Sequence, residues 1–271
     1  MPELPEVETT RRGLAPHLSH RRVTAVEVRQ PRLRVPISDD LAANLTGACL
    51  SAIERRGKYL CFLFDRGVLL IHLGMSGSLR IVPAGEPAGR HDHFDVAFGD
   101  RVLRLRDPRR FGMAQWYEPR DANPPPLARL GIEPLSAAFD GDWLYRATRG
   151  LAAPIKSFVM DAHRIVGVGN IYASESLFRA RIHPRMSAGR LGRVRAGRLA
   201  AAIRDVLDEA IAAGGSTLRD FIGGDGRPGY FQHSHAVYGR EGLACPNCAA
   251  PIRRIVLAQR ATFLCARCQR Y

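Results

Sequence analysis

The sequence predicts an α+β protein of several domains: a first helix with a β-sandwich, then a helical domain, then a small cysteine-bearing β-hairpin. Three observations predict this. Short apolar runs at a regular spacing fill residues 23–117, helical periodicity replaces them after Trp143, and two CxxC pairs lie near the C-terminus. We expect the domains to span 1–123, 136–225 and 236–271, with a proline-rich linker at 124–135.

The charge balance indicates a polyanionic partner. The 271 residues include 40 Lys and Arg against 26 Asp and Glu, a formal net charge of +14. Such an excess is typical of proteins that bind nucleic acid; an anionic membrane or a merely solvated basic surface are the alternatives. No apolar run approaches the ~20 residues of a membrane span, and we find no signal peptide, so we expect a cytoplasmic protein.

The first helix begins at the N-terminus itself. Removal of Met1 would leave Pro2 as a free secondary amine, and an α-amino group has a pKa low enough for nucleophilic attack at neutral pH. Glu3 is adjacent and could move protons for that reaction, while Glu6 lies one turn further on the same face. Proline and acidic residues are also ordinary at a helix start, so this pattern alone leaves both interpretations open.

Short strands follow this helix, which we expect to continue to Leu14 and to end near Pro16. Lys58 opens a central strand, and it is one of only two lysines among the 40 basic residues; Lys156 is the other. Because arginine replaces lysine as a charge but not as an amine that releases a proton, both lysines are candidate site residues. The predicted strands are Val23–Val28, Tyr59–Phe64, Val68–Leu73, Ser78–Val82, two that flank Gly99-Asp100, and Met113–Tyr117.

Three segments of the sandwich carry further candidates. The loop from His72 to Gly77 turns sharply on two glycines. The segment His91-Asp92-His93 could hold a metal by residue type, although a buried or phosphate-facing histidine is the better interpretation. Arg109-Arg110-Phe111 suits base contact and stacking or wedging in a duplex; a surface turn anchored by its phenylalanine is an equally simple interpretation.

Helical patterns dominate the second half of the chain. Gly167-Val168-Gly169 leads into a helix with Asn170 as the expected N-cap, and the N–H groups of such a helix start can hold a phosphate. The glycine-rich segment Gly223–Gly229 could form a mobile lid. The predicted helices are Pro154–Asp161, Asn170–Ala180, Leu191–Ala213 and Ser216–Ile222.

The two CxxC pairs predict one structural zinc ion. Four thiolates at this separation fill all positions of a tetrahedral site, and Arg260 lies between the pairs on what should be a zinc-held hairpin that fits a DNA groove. We expect no small-molecule cofactor. Cys49 and Cys61 lie in apolar surroundings that indicate core packing. The predicted ligands are Cys245, Cys248, Cys265 and Cys268.

Together these motifs resemble one family over nearly the whole chain, the bacterial formamidopyrimidine-DNA glycosylases, which excise oxidised purines. The resemblance implies an N-terminal helix with a β-sandwich, a helix-two-turn-helix domain and a zinc finger, in agreement with the patterns above. It also implies damaged double-stranded DNA as the partner, for which a monomer suffices. The matching segments are PELPEVE, RRGKYL, HLGMSGSLRI, HDHFD, DPRRFG, IKSFVMDAHRIVGVGNIYASESLF, GRPGYF and AQRATF.

The resemblance implies a role for individual residues. Pro2 matches the nucleophile and Glu3 the proton donor. Lys58 matches a lysine that donates a proton during β-elimination, and Arg260 an arginine associated with δ-elimination and phosphate binding. The residues implied to contact DNA are His91, Arg109, Lys156 and Asn170, and those implied to fill the gap left by the everted nucleotide are Met75, Arg109 and Phe111.

The chain departs from the family pattern in three places, one of which is the lesion-capping loop around Gly223, where no residue fixes base preference. Ser157 stands where related enzymes often have proline, and Arg149 is the nearest candidate for the basic DNA contact expected upstream of Lys156. Two other functions remain open. An endonuclease VIII-like enzyme would take oxidised pyrimidines, but such enzymes typically begin PEGPE, whereas this chain has Leu4. A catalytically silent zinc-ribbon protein would bind DNA and would need neither Pro2 nor the two lysines.

Overall fold

The computed structural model describes residues 2–118, 124–215 and 235–271. These residues fall into two compact units, 2–128 with 213–215 and 129–212 with 235–271. The helix predicted at Ser216–Ile222 and the loop at Gly223–Gly229 lie outside the described residues. None of the described helices is long and apolar enough to cross a membrane.

The first unit combines helix α1 (Leu4–Leu18) with two four-stranded antiparallel sheets, in the orders β1-β6-β7-β5 and β2-β3-β4-β8. Side chains from α1 and from both sheets share one core, which includes Val7, Leu60 and Phe94. The predicted helix and β-sandwich are therefore confirmed. The strands are β1 (Ala25–Val28), β2 (Leu50–Arg56), β3 (Tyr59–Phe64), β4 (Gly67–His72), β5 (Ser78–Pro83), β6 (Asp92–Phe98), β7 (Arg101–Arg106) and β8 (Met113–Tyr117); the short helices are α2 (Leu41–Leu45) and α3 (Pro125–Ala128).

Three elements of this unit, α2, α3 and β2, were not predicted, whereas α1 ends at Leu18, near the expected Pro16. Strand β2 forms a hairpin with β3 in which Arg56 pairs with Tyr59. Lys58 therefore lies in the hairpin turn and not in a strand; the turn starts at Gly57, which has a φ of +58°.

The second unit packs four helices with the hairpin of β9 and β10. Gly141 meets Gly197 so closely that a Cβ atom on Gly141 would lie 2.5 Å from the Gly197 Cα, which lets α4 approach α7. Phe178 of α6 packs in a small core with Cys245 and Cys265 of the finger. The three described helices that were predicted are found within two residues of the expected bounds. The elements are α4 (Gly141–Thr148), α5 (Ile155–Met160), α6 (Asn170–Arg179), α7 (Arg193–Ala212), β9 (Arg253–Leu257) and β10 (Arg260–Leu264).

Candidate active site

The start of α1 presents two buried carboxylates beside Pro2. Glu3 and Glu6 are each 3% exposed, and the Glu3 N–H donates a hydrogen bond to Glu6 Oε2 at 2.7 Å. The reciprocal bond completes a capping box. The acidic groups therefore stabilise the helix start and, at the same time, lie where they could move protons for a reaction at Pro2. The structural and the catalytic interpretation of this motif are compatible.

A glycine beyond α7 lies directly against Glu6. Gly215 has a φ of +83°, and a Cβ atom there would lie 3.1 Å from Glu6 Oε1 and 3.2 Å from Glu6 Cγ. Both the left-handed backbone and the close approach require glycine. The sequence does not predict this contact, because the two residues are distant in the chain and a Gly-Gly pair by itself indicates only a turn.

An ion-pair cluster ties α1 to the turn that carries Lys58. Glu8 accepts hydrogen bonds from Arg11 at 2.8 Å and from Arg55 at 3.2 Å. Burial opposes ionisation of Glu8, but the hydrogen bonds and charges of the surrounding arginines lower its pKa to about 2. Arg55 Nη1 also donates to the Gly57 carbonyl at 3.1 Å. The arginine thus links the helix that follows Pro2 to the turn of Lys58.

His72 is a neutral histidine beside this turn, and its ring accepts a hydrogen bond. It pairs with Tyr59 across β3 and β4, and the two rings lie 4.8 Å apart. Burial, together with the charges of Lys58 and Arg34, lowers the pKa of His72 to about 4. The Gly74 N–H donates to His72 Nδ1 at 3.0 Å, so the neutral ring carries its proton on Nε2. The sequence singles out this loop for its glycines and does not reveal the histidine as a site residue.

Asp107 holds two loops of the first unit together. Its side chain is fully buried and accepts hydrogen bonds from Ser76 Oγ at 2.8 Å and from the Gly112 N–H at 2.7 Å. The Arg109 N–H lies 3.3 Å from Asp107 Oδ1. One carboxylate therefore fixes the backbone of the segment that follows it, and it fixes the His72–Gly77 loop as well.

These two loops carry the side chains expected to fill a gap in the duplex. Met75 is 41% exposed and Phe111 is 43% exposed, although both are large and apolar. The Arg109 guanidinium lies 4.9 Å from the centre of the Phe111 ring. A Cβ atom on Gly74 would lie 2.4 Å from the Phe111 carbonyl, so the loops are in direct contact. Exposed apolar groups on ordered loops, next to a cation, suit insertion between base pairs.

The histidines of the HDHFD motif do not form a metal site. His93 is buried, and its Nε2 lies 2.8 Å from the Asp107 carbonyl. Asp95 is paired with Arg104 at 2.8 Å. His91 is half-buried next to His93, with the ring centres 6.4 Å apart. Within the described ranges, only the four cysteines have the mutual distances of a metal-ligand group.

Lys156 is buried in the second unit and bridges α6 to the finger. It is 2% exposed, and its ammonium group donates to Asn170 Oδ1 at 2.6 Å and to Thr262 Oγ1 at 2.7 Å. Asn170 Nδ2 in turn donates to the Ala261 carbonyl at 2.9 Å. The lysine expected at a phosphate therefore contacts Asn170, the other residue expected there, and fixes its side chain.

Asn170 is not the N-cap of α6, which corrects the prediction. Gly169 is the N-cap and Asn170 is the first helical residue. The Asn170 side chain bonds to Lys156 and Ala261 across the domain, so it is not available to cap its own helix. Its position in the first turn still places it at the positive end of the helix, which suits an anion.

Arg149 and Arg260 differ in their surroundings. The Arg149 guanidinium stacks 4.2 Å above the Tyr145 ring and donates to the Tyr145 carbonyl at 2.9 Å. Arg260 is exposed at the tip of the hairpin, next to a two-residue turn in which Ala258 and Gln259 have φ values of 48° and 58°. Such a turn matches the twist of the two strands and presents Arg260 on a rigid element.

The four finger cysteines fit a zinc ion. Their Sγ atoms all lie within 4.8 Å of one another, with 3.5 Å between Cys248 and Cys265 and 3.9 Å between Cys245 and Cys268. A tetrahedral site with Zn–S bonds of about 2.3 Å needs sulfur atoms about 3.8 Å apart. All four positions are protein ligands, so the ion is structural and the prediction of one zinc is confirmed.

Three family models match the chain in sequence. They are the formamidopyrimidine-DNA glycosylase N-terminal domain over residues 1–114, the H2TH domain of the same enzymes over residues 130–222, and the zinc finger found in FPG and IleRS over residues 242–270. The formamidopyrimidine-DNA glycosylase of Aromatoleum aromaticum is 61% identical, and that of Alkalilimnicola ehrlichii 55% identical, with all of each chain covered.

Solved structures show the same likeness. The MutM (FPG) protein of Thermus thermophilus superposes with a TM-score of 0.89 at 42% identity, covering 99% of this chain and 98% of that one. Wild-type Lactococcus lactis Fpg, bound to DNA that contains N7-benzyl-Fapy-dG, superposes with a TM-score of 0.92 at 34% identity, with both chains fully covered. The similarity in sequence and in fold therefore covers the full length of the chain.

Proposed function

This chain belongs to the formamidopyrimidine-DNA glycosylase family, and on that premise we propose that it excises oxidised purines, 8-oxoguanine and formamidopyrimidines, from duplex DNA and then nicks the abasic strand. It is a DNA glycosylase with a structural zinc finger. A base inside a duplex is unreachable, so the nucleotide must first be everted at a cost of a few kcal/mol. The observation that carries the proposal is the pair of buried carboxylates at the helix start beside Pro2, each 3% exposed.

Pro2 is the proposed nucleophile, once Met1 has been removed. The lone pair of its amine attacks the deoxyribose C1′ while the bond to the base breaks. The base leaves with the electron pair of the broken bond and takes up a proton, which balances the proton that the amine nitrogen loses as the iminium forms. Glu3 protonates the ring oxygen of the sugar as the ring opens. The product is a positively charged iminium between Pro2 and C1′, which joins the enzyme covalently to DNA.

The iminium makes the C2′ proton acidic, and strand cleavage follows from its loss. The first elimination expels the 3′ phosphate and the second expels the 5′ phosphate, which leaves a one-nucleotide gap. Lys58 donates a proton during the first step, and Arg260 binds phosphate and assists the second. The Glu8–Arg55–Gly57 contacts, with bonds of 3.2 Å and 3.1 Å, support this role of the Lys58 turn.

The DNA itself is held by the remaining residues of the proposed site. Asn170 contacts a phosphate, and Lys156 acts through Asn170, since its ammonium group is buried and 2.6 Å from Asn170 Oδ1. The exposed side chains on the two loops that Asp107 holds together fill the space of the everted nucleotide. These groups are His91 and Arg109 for DNA contact, and Met75, Arg109 and Phe111 for the gap.

We further propose that the enzyme works as a monomer without a small-molecule cofactor, on DNA in the bacterial cytoplasm. One lesion in one duplex requires a single set of these residues, and no step above consumes an oxidant or a reductant.

The proposed domain bounds are those expected from the sequence. They are 1–123 for the sandwich domain, 124–135 for the linker, 136–225 for the helix-two-turn-helix domain and 236–271 for the finger.

The test compares two lesions in otherwise identical duplexes. Single-turnover cleavage is measured for 8-oxoguanine opposite cytosine and for thymine glycol. We expect at least tenfold faster cleavage of the 8-oxoguanine strand, with phosphate at both ends of the gap. Faster cleavage of thymine glycol would indicate the endonuclease VIII-like alternative, and tight binding without any cleavage would indicate a silent DNA-binding protein.

A further inference from the structure

A basic cleft in the second unit takes no part in the site described above. It encloses about 490 Å³ where the start of α7, the end of α6 and the cysteine end of the finger meet. Its lining includes Asn247 and two of the zinc ligands, but its charge is carried by five guanidinium groups. We call this feature the arginine cleft; its arginines are Arg181, Arg195, Arg198, Arg267 and Arg270.

The charges of the arginine cleft are not neutralised within the described protein. In the part of the chain that the structure describes, none of the five guanidinium groups forms an ion pair. The Arg195 guanidinium contacts the Met186 sulfur at 3.3 Å. Two carboxylates of the neighbouring helices are already used, since Glu209 pairs with Arg179 at 2.6 Å and Asp142 with Arg193 at 3.0 Å.

The local structure makes this concentration of positive charge unfavourable in the free protein. Arg195 and Arg198 lie on one face of the first two turns of α7, and no acidic residue occupies the first turn. The N-terminus of a helix is its positive end, where cations are disfavoured and anions are stabilised. Arg181 follows α6 with a φ of 58°, a conformation in which glycine is the favoured residue. An anion bound in the cleft would offset the unfavourable interaction between the arginines and the positive end of α7.

The arginine cleft lies at the far end of α6 from the proposed phosphate contact of Asn170. The helix from Asn170 to Arg179 is about 14 Å long at a rise of about 1.5 Å per residue, and Arg181 lies beyond its end. The cleft end is rigid, because Gln269 Nε2 donates to the Ile182 carbonyl at 2.9 Å and the His183 N–H donates to the Arg270 carbonyl at 3.0 Å. The phosphates that meet Asn170 therefore cannot also fill the cleft.

We propose that the arginine cleft is a second DNA site that binds the sugar–phosphate backbone of a DNA segment outside the stretch held by Asn170. Guanidinium groups bind phosphates bidentately, and five of them spread around an open cleft match a run of phosphodiesters better than one small anion. None of the described residues that line the cleft is aromatic, so it binds the backbone without reading bases. A second site of this kind lets the enzyme hold undamaged DNA while it searches for a lesion.

The test measures how binding to DNA depends on salt. The double variant Arg195→Gln with Arg198→Gln removes two charges from the cleft, and Arg185→Gln with Arg190→Gln removes two exposed charges of the same unit that do not line it. Affinity for an undamaged duplex of about 40 base pairs is measured between about 50 and 300 mM salt. Each lost phosphate contact lowers the slope of log K against log salt by about 0.9.

We expect the cleft variant to lose about 1.8 from this slope and to bind the duplex about tenfold more weakly at about 100 mM salt, with an unchanged melting temperature. We expect the control variant to match the unmodified protein, and single-turnover excision of a saturated lesion duplex to be equal in all three. Equal slopes in the two variants would overturn the proposal. Tight binding of inorganic tripolyphosphate that only the cleft variant loses, with the DNA slope unchanged, would also overturn it and identify a site for a small anion.

Discussion

Asp107 is the residue on which the geometry of the proposed gap-filling loops depends. It is fully buried, and its two oxygens accept bonds from Ser76 at 2.8 Å and from the Gly112 N–H at 2.7 Å. A carboxylate has acceptor sites only, and each of these partners is a donor. An amide at this position would turn one acceptor into a donor and face an N–H group with another N–H group.

Asp107→Asn should therefore reduce both stability and lesion binding. We expect a loss of about 1–3 kcal/mol in the free energy of unfolding, the usual cost of an unsatisfied buried group, and at least tenfold weaker binding to a duplex with an abasic-site analogue. Denaturant unfolding and duplex titration measure the two effects. The control Ser76→Ala removes a single donor and should cost less in both, whereas an Asp107→Asn variant indistinguishable from the unmodified protein would contradict this account.

At the residue scale, the sequence identifies candidate catalytic residues better than it identifies which residues contact one another. Pro2, Glu3 and Lys58 stand out in the chain by residue type and position alone. Asp107 and Gly215 do not, because Ser76, a partner of Asp107, is 31 residues away, and Glu6, the partner of Gly215, is near the other end of the chain. Aspartate before proline indicates a turn, and no local signal shows that it is buried.

At the scale of elements, Lys156 joins α5 and α6 to the hairpin of the finger. Its ammonium group contacts Asn170 on α6 and Thr262 on β10, at 2.6 Å and 2.7 Å, while Asn170 holds the Ala261 carbonyl at 2.9 Å. A buried ammonium is tolerated only when it is fully hydrogen-bonded. The group therefore sets how the hairpin that carries Arg260 sits on α6.

A double-mutant cycle separates this positioning role from a direct contact with DNA. If Lys156 acts through Asn170, then Lys156→Met and Asn170→Ala should each weaken duplex binding by about tenfold, and the double variant should be no weaker than either one. The coupling energy would then be about 1.4 kcal/mol, the free energy of a single tenfold loss. Additive losses would show two independent contacts. Melting temperature and zinc content of each variant serve as controls for folding.

Three helices of the second unit were predictable from their apolar periodicity, and α5, α6 and α7 begin and end within two residues of the expected positions, whereas α4 was not predicted. Strand β2 was missed for the opposite reason. In Leu50–Arg56 buried and exposed positions are mixed and only three of the seven residues are apolar, so the apolar run that reveals a central strand is absent. Pairing with the strongly apolar β3 overrides this weak local signal.

At the scale of the whole molecule, the order of elements and the zinc finger were predictable and the sheet topology was not. The cysteine spacing alone indicates zinc, and the four sulfur atoms lie within 4.8 Å of one another. The order β1-β6-β7-β5 places the first strand next to the sixth, a long-range pairing for which the sequence carries no local signal. The net charge of +14 indicates a polyanion, and the arginine cleft shows where part of that charge is concentrated.

The measurement that tests the central claim most directly is covalent trapping on an 8-oxoguanine:cytosine duplex with borohydride, which reduces an iminium to a stable amine, followed by mass mapping of the attached peptide. We expect a stoichiometric protein–DNA complex joined through Pro2, with Met1 absent. Pro2→Gly should sharply slow base excision while duplex binding is retained. Attachment through another residue such as Lys58, or no complex under conditions in which the duplex is bound and cleaved, would contradict the proposed mechanism.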